Sequence, residues 1–176
     1  MANNILATYS PESVVVTISN DKFSHTVSGY ADGTFLGVTR VVPHATLYTG
    51  ADATNARVVR RVRNYDITLT LHQASESNDV LTQLLHLDEE SRSGEDVFAI
   101  TIKDTSGRTM YSSNYAFIGT DPDGSFGTEL SESAWVIHAV GVESFVGGNG
   151  RFTEASYDTM GDLGYTPDAY WSPSGA

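Results

Sequence analysis

The sequence predicts a mainly β protein with one helix packed across a sheet. Over most of the chain, apolar and polar residues alternate with the period of two that strands show. Short clusters of Gly, Asp, Asn and Ser interrupt these segments at the spacing of turns. Only residues 77–90 place apolar side chains at helical spacing. With 176 residues and no cysteine, the chain can bury a core without disulfides.

The N-terminal third reads as three strands. The β-branched run at 13–18 predicts the first, and the more polar segment 23–30 the second. Residues 35–42 form a third extended segment that ends at Pro43, because proline donates no ladder hydrogen bond. Turn residues at 19–21 and 31–34 separate the three.

The next segment predicts a long loop followed by a strong strand. Residues 44–55 are rich in Thr, Gly, Asp and Asn and are expected to form the loop. Residues 56–64 alternate only weakly. Residues 65–72 alternate cleanly and place four apolar side chains on one face of a strand: Tyr65, Ile67, Leu69 and Leu71.

A single helix is predicted over about residues 77–90. Ser77 suits the N-cap position and Asp79 suits the first turn. Gly94 marks the end. The apolar stripe predicts packing against a sheet rather than ligand binding; its members are Val80, Leu81, Leu84, Leu85 and Leu87.

The remaining strands follow as a meander. Residues 97–103 and 109–118 predict a hairpin around the turn at 104–107. A further turn lies at 121–124, and the last strand lies within 129–146, around 135–140.

Composition changes after the glycines at 147–150 and predicts a division into a β domain, 1–148, and an extension, 149–176. The extension has too few aliphatic residues for a core of its own. Its aromatic residues could anchor it to a neighbouring surface, or it could be a flexible terminus. The candidate contact residues are Phe152, Tyr157, Tyr165, Tyr170 and Trp171.

Charge is segregated along the chain. There are 22 acidic and 10 basic residues, and half of the basic ones lie between positions 40 and 63, where only Asp52 opposes them. A positive segment on a protein of net charge −12 favours contact with another copy of the same protein. A solvated strand face or a charge-protected edge would show a similar pattern. A nucleic-acid patch fits less well, because the net charge is negative and the cluster lacks interleaved aromatics.

No motif predicts catalysis, a cofactor or a metal site. The five histidines do not form a zinc-binding pair on a helix. Residues 121–129 resemble a calcium loop only weakly, since the ligand spacing is wrong. Nucleotide-binding glycine motifs and a nucleophile elbow are absent from the sequence. The N-terminus does not resemble a signal peptide, and no apolar stretch reaches the length of a membrane span.

The ordered set of segments resembles the inner tail tube proteins of contractile-tailed bacteriophages over roughly residues 9–149. The segments are YSPESV at 9–14, GYADGTF at 29–35, ITLTL at 67–71, SESNDVL at 75–81, IKDTSG at 102–107 and ESFVGGN at 143–149. The arginine stretch lies between the second and the third.

This resemblance implies an antiparallel β-sandwich or barrel with one flanking helix, in a virion tail protein assembled in the host cytoplasm. Six copies would close into a ring, and the rings would stack into a tube inside a sheath. The tape measure protein and double-stranded DNA would occupy the lumen transiently, with no membrane insertion. A long loop between early strands would contact the next ring. The corresponding residues are Arg40, His44, Tyr48, Asp52, Arg57, Arg60, Arg61 and Arg63.

Other functions remain open at this point. The tube could belong to a flexible tail or to a secretion machine. From a different class, the chain could be a monomeric β-sandwich that binds a host glycan for a virion, or a hydrolase. If it forms a tube, strands within 35–42 and 56–71 are expected to face the channel, although a one-residue error in register would invert that assignment.

Overall fold

The computed structural model describes residues 6–94 and 96–173, and its regular elements are almost all strands. Two short 3₁₀ turns lie at Pro11–Ser13 and Ala169–Trp171. The strands are β1 (Val14–Asn20), β2 (Phe23–Thr26), β3 (Leu36–Arg40), β4 (Ala45–Thr49), β5 (Asn55–Val59), β6 (Tyr65–His72), β7 (Phe98–Asp104), β8 (Met110–Thr120), β9 (Glu132–Val140) and β10 (Glu143–Phe145). The helices are α1 (Ser77–Glu90) and α2 (Glu154–Asp162). The mainly β prediction and the predicted helix are confirmed.

One antiparallel sheet contains eight of these strands, in the order β2-β1-β7-β8-β9-β6-β3, with β10 beside β8. The β6–β9 ladder is its longest regular pairing, from Tyr65 opposite Ala139 to His72 opposite Glu132. β4 and β5 pair only with each other, as a separate two-stranded sheet. The predicted loop at 44–55 is therefore wrong in part, because β4 occupies its first half.

The segment after β2 draws the sheet into a sandwich-like shape. Val27 donates its N–H to Val16 O at 2.8 Å, on β1. Two residues later, Gly29 O accepts the His72 N–H at 2.9 Å, on β6. This short crossing brings distant strands together, but among the described residues the strand ladders stop short of a closed barrel. The predicted strand at 23–30 is accordingly a four-residue strand followed by this crossing.

The core fills one side of the sheet. Alternate residues of β1, β6, β7, β8 and β9 point inward, and the α1 stripe contributes Leu81 and Leu84. Each such side chain, when fully buried, stabilises the fold by about 1.5–3 kcal/mol relative to exposure. The central buried strand residues are Val16, Ile18, Ile67, Leu69, Leu71, Ile100, Ile102, Trp135 and Ile137.

Side-chain hydrogen bonds fix α1 on this core. Trp135 donates Nε1–H to Asn78 Oδ1 at 2.9 Å, and Asn78 donates Nδ2–H to His72 O at 3.1 Å. Ser77 does not cap the helix, since Glu76 occupies the N-cap position. Its buried hydroxyl instead accepts the N–H of Ser28 at 3.0 Å and ties the helix start to the crossing segment.

Candidate functional site

A hairpin that projects from the main sheet carries most of the predicted self-association residues. We call residues 41–64, which contain β4 and β5, the arginine arm. β3 and β6 pair up to Arg40 opposite Tyr65, and the chain then continues outward on both sides. The base is closed where Val41 N–H donates to Asn64 O at 3.0 Å and Arg60 N–H donates to His44 O at 2.8 Å. The arm is therefore a continuation of two paired strands of the main sheet.

The arm is exposed on both faces. All ten residues of β4 and β5 are exposed. Leu47 lies opposite Arg57 on one face, and Tyr48 lies opposite Ala56 on the other. The Leu47 side chain is 75% exposed and that of Tyr48 is 63% exposed, although both are large and apolar. A two-stranded ribbon of this kind has little stability without further packing. Large exposed apolar side chains grouped on one element are typical of interaction surfaces.

The tip of the arm is fixed by Asp52. Its Oδ1 accepts the Thr54 hydroxyl at 2.7 Å and the Thr54 N–H at 3.1 Å. The hydroxyl bond from Thr54 is the main cause that lowers the pKa of Asp52, and the backbone bond adds to it. Gly50 lies close against this pair, since a Cβ there would lie 2.7 Å from that carboxylate oxygen. Within the described chain Asp52 forms no ion pair with an arginine, so it shapes the turn and does not neutralise the arm.

The arginines next to and within the arm divide into one structural side chain, Arg40 at the end of β3, and four available ones. Arg40 is half-buried and donates Nη2–H to Val62 O at 2.7 Å, which ties β3 to the base of the arm. The other four are exposed and make no side-chain hydrogen bond or ion pair within residues 6–94 and 96–173: Arg57, Arg60, Arg61 and Arg63. These four charges are free to meet another molecule.

The arm is joined to the body next to its root. Val142 donates its N–H to Arg63 O at 2.8 Å, and Val142 itself is buried in the core. This contact holds the last residues before β6 against the bend between β9 and β10. The arginine arm therefore has a fixed origin on the body.

A second cluster holds the C-terminal extension. The Arg108 guanidinium carbon lies 4.2 Å from the Phe152 ring centre and 4.7 Å from that of Trp171. Arg108 also donates Nη1–H to Gly150 O at 2.6 Å. Burial lowers the pKa of Arg108, and Tyr165 opposes that shift. The extension packs on its own chain through this arginine, which no sequence pattern singled out.

The other aromatic residues of the extension differ in their contacts. Tyr165 stacks on Phe145 of β10, with ring centres 5.0 Å apart and planes inclined by 15°. Tyr157 packs edge-on against Phe152 at 6.3 Å. Tyr170 is 64% exposed. Helix α2 buries none of its residues. The extension is instead held on the β domain by aromatic rings that lie before and after this helix: Phe152, Tyr165 and Trp171.

The described residues were also compared with the requirements of a metal site and of a membrane-spanning helix. Across residues 6–94 and 96–173, no cluster of three His, Cys, Asp or Glu side chains has the geometry to hold a metal ion. The His138 Nδ1 lies 2.6 Å from Asp66 Oδ1 on the face of the sheet opposite the core. None of the helices in these ranges combines the length and apolarity required to cross a membrane.

Sequence comparison gives a family and a relative. The sequence model of the family described as the bacteriophage PhiTE tail tube protein matches residues 6–147. "Structural protein ORF10" of Pseudomonas phage KPP10 is 38% identical over 167 residues, which cover 94% of this chain and 96% of that protein. The family match includes the arginine arm and stops before the C-terminal extension.

Comparison of folds gives more distant likenesses. A cap structure that terminates the tube of the anti-feeding prophage is 12% identical, with a TM-score of 0.47, over 82% of this chain and 100% of that one. A chain of the PVC sheath–tube complex, an extracellular contractile injection system in its extended state, is 13% identical, with a TM-score of 0.44, over 78% and 93% of the two chains.

Proposed function

The chain belongs to the bacteriophage PhiTE tail tube protein family and is a structural subunit of a phage tail tube, and we propose that its copies form six-membered rings which stack into a hollow tube. The tube conducts DNA into the host, as part of a contractile tail. In this role the protein is architectural and not catalytic. The subunit is assembled in the host cytoplasm and functions in the virion.

The observation that carries the stacking proposal is the arginine arm. Four exposed arginines and two exposed apolar side chains, Leu47 and Tyr48, project from a protein whose net charge is −12. An element that is positive and apolar fits a surface that is negative and apolar, and another copy of this chain supplies such a surface. We assign the arm to the contact between successive rings.

The edge of β3 supports closure of the ring. β3 pairs with β6 on one side only, and within the described chain its other side has no strand partner. Such an edge is a template for pairing with a strand of a neighbouring molecule. Pairing around a ring removes every exposed edge of this kind, because each subunit's edge meets the next subunit.

The face of β3 and β6 opposite the core is suited to line the channel. Thr39, Asp66 and Thr68 alternate with the residues of these strands that pack on the core and therefore point away from it. A polar wall with an acidic group lets DNA pass without sticking, since binding to phosphate requires positive charge. The arginines of the arm then serve the contacts between rings rather than the lumen.

We propose the remaining partners from the role of a tail tube. A tube of stacked rings inside a contractile tail contacts the tail sheath protein on its outside. The tape measure protein and DNA occupy its lumen in turn. No cofactor is required for any of these contacts.

Reversing the charge of the arm tests the proposal. We expect Arg57→Glu/Arg60→Glu/Arg61→Glu to abolish tubes in negative-stain images at physiological salt, because like charges would then face each other across rings. The monomer should still fold, since all three side chains are exposed. A matched control with the same charge change, Arg92→Glu/Lys103→Glu/Arg151→Glu, should still form tubes.

Normal polymerisation of the arm variant would overturn the stacking role of the arm. A wild-type protein that stays monodisperse at high concentration would overturn tube formation itself and favour the glycan-binding alternative. If the arm variant forms rings that do not stack, the arm is needed for the contact between rings and not for closure of the ring.

A further inference from the structure

The two ends of the β6–β9 strand pair carry opposite kinds of surface. The arginine arm leaves at the end where Tyr65 lies opposite Ala139. The connection between β8 and β9, residues 121–131, lies at the end where His72 lies opposite Glu132. We call this connection the acidic loop. The eight residues of β6 separate the two by about 25 Å at the usual rise of a strand.

The acidic loop is held in place at its base and is exposed elsewhere. Gln73 donates its N–H to Ser131 O at 2.9 Å, and Ser131 donates its hydroxyl to Gln73 Oε1 at 3.0 Å. Apart from half-buried Pro122 and Ser131, all residues of the loop are exposed. The Phe126 side chain is 91% exposed and that of Leu130 is 62% exposed, so the loop also presents apolar surface.

All charged residues of the acidic loop and of the start of β9 are negative. Asp121, Asp123 and Glu129 lie in the loop, and Glu132 follows at the start of β9. No lysine or arginine occurs between residues 109 and 150 of the sequence, nor between 64 and 91, which includes β6 and α1. The carboxylates of the loop therefore have no neighbouring cation along these strands.

The loop complements the arm in two independent respects. The arm offers four exposed arginines together with Leu47 and Tyr48, and the loop offers carboxylates together with Phe126 and Leu130. Contacts of opposite charge fix register and orientation, and the apolar side chains supply the area removed from water.

We propose that the acidic loop is the docking surface for the arginine arm of a second copy of this chain, an inference that rests on the proposed tube function. Because arm and loop lie at opposite ends of one strand pair, a single subunit cannot satisfy its own arm. Contact between unlike ends of successive copies is heterologous and repeats without closing on itself, as a stack of rings requires.

The acids of α2 do not offer the same geometry. β9 ends at Val140, opposite Tyr115 of β8 and at the same end of the sheet as the arm. β10 follows at this end and pairs with the first half of β8. The extension, with α2, follows β10 and so begins from the same end of the sheet as the arm. A head-to-tail contact needs a surface at the other end, where the acidic loop lies.

A charge swap tests this pairing. Reversal of the loop alone, Asp121→Lys/Asp123→Lys/Glu129→Lys, should raise the critical concentration for tube assembly roughly tenfold or more, measured by sedimentation and negative-stain microscopy. Combining it with Arg57→Glu/Arg60→Glu/Arg61→Glu on the same chain should restore tubes, because the two partners are then exchanged. Glu154→Lys/Asp158→Lys/Asp162→Lys makes the same charge change on α2 and should leave assembly unchanged. Equal melting temperatures of the variants would establish that folding is not the cause.

The outcomes separate the two proposals. If the loop variant assembles like the wild type while the arm variant does not, the acidic loop is not the acceptor and the tube function stands. If the double reversal fails to recover any tubes, direct pairing of arm and loop is overturned. If the α2 variant is the one that fails, the acceptor is the extension. If none of the reversals affects assembly, the proposed role of the arm fails as well.

Discussion

At the scale of single residues, Asp104 links the β domain to the start of the extension. Asn149 donates Nδ2–H to Asp104 Oδ2 at 2.8 Å, and Ser106 donates both its hydroxyl, at 2.6 Å, and its N–H, at 2.8 Å, to Oδ1. Burial alone would raise the pKa of Asp104, but the hydrogen bonds from Ser106 and Asn149 outweigh it, and the pKa lies below its ordinary value. The folded state therefore favours the ionised carboxylate.

This lowered pKa predicts an acid-dependent loss of stability. The contribution of Asp104 is present in full above the unfolded-state pKa of about 4 and disappears as pH falls through the lower folded-state value. We expect Asp104→Asn to reduce the free energy of unfolding by about 1–3 kcal/mol at pH 7, because buried donors lose their charged acceptor. The difference from the wild type should shrink as pH falls below about 4, because the contribution of the ionised carboxylate is lost as the group takes up a proton. Urea unfolding across this pH range measures the change.

Glu12→Gln provides a control, since Glu12 is exposed and makes no side-chain hydrogen bond in the described chain. A stability difference for Asp104→Asn that stays constant between pH 7 and pH 3 would rule out the ionised carboxylate as its source.

At the scale of elements, the sequence predicts best where one face is buried. The clean alternation of residues 65–72 and the stripe of α1 become β6 and a core helix, because burial imposes those periods. β4 was missed because all of its residues are exposed, so no alternation marks it. Its pairing with β5 depends on continuation from β3 and β6, which only the fold reveals.

The extension is a second element that the sequence left open. It lacks a core pattern, and its contacts with Arg108 and Phe145 join residues that are distant in sequence. Aromatic residues at 152, 165 and 171 indicated that anchoring was one possibility, but a single chain gave no sign of the surface that receives them.

Removing the Arg108 side chain should release the extension. Arg108→Ala deletes the guanidinium between Phe152 and Trp171, a contact worth about 0.5–2 kcal/mol for each ring. We expect limited proteolysis to cut within residues 150–173 of this variant while the β domain stays intact. Arg151→Ala is the control, because Arg151 is exposed and its guanidinium lies 5.7 Å from the ring centre of an exposed tyrosine. Equal cleavage of the two variants would contradict the role given to Arg108.

At the scale of the whole molecule, the fold class could be predicted, and the crossing that gives the sheet its sandwich-like shape could not. The crossing at 27–31 bonds to β1 and then to β6 through backbone groups, which leave no trace in side-chain patterning. The arginine cluster was visible in composition, whereas its placement at one end of β6 required the register of β6 against β9. The sequence alone likewise showed no acidic surface as the complement of the arm.

Salt should weaken the assembly of the tube and have little effect on the folding of its subunit. Raising ionic strength from 0.1 to 1 M shortens the screening length from about 10 Å to about 3 Å. We expect the critical concentration for assembly to rise while the melting temperature of the isolated subunit changes little, because its core is apolar. Light scattering and thermal unfolding across this salt series measure the two effects. Assembly that is insensitive to salt would contradict a contact between arginines and carboxylates.

The exposed two-stranded arm has a kinetic consequence. A ribbon with no third strand is only marginally ordered by itself, so the first subunits to meet must order their arms without a ready-made surface. Later subunits meet a finished surface, and each addition is then more favourable than the first. Such a protein would persist as unassembled subunits until a preformed nucleus starts growth, which would let the cell hold a large pool of it and decide when and where elongation begins.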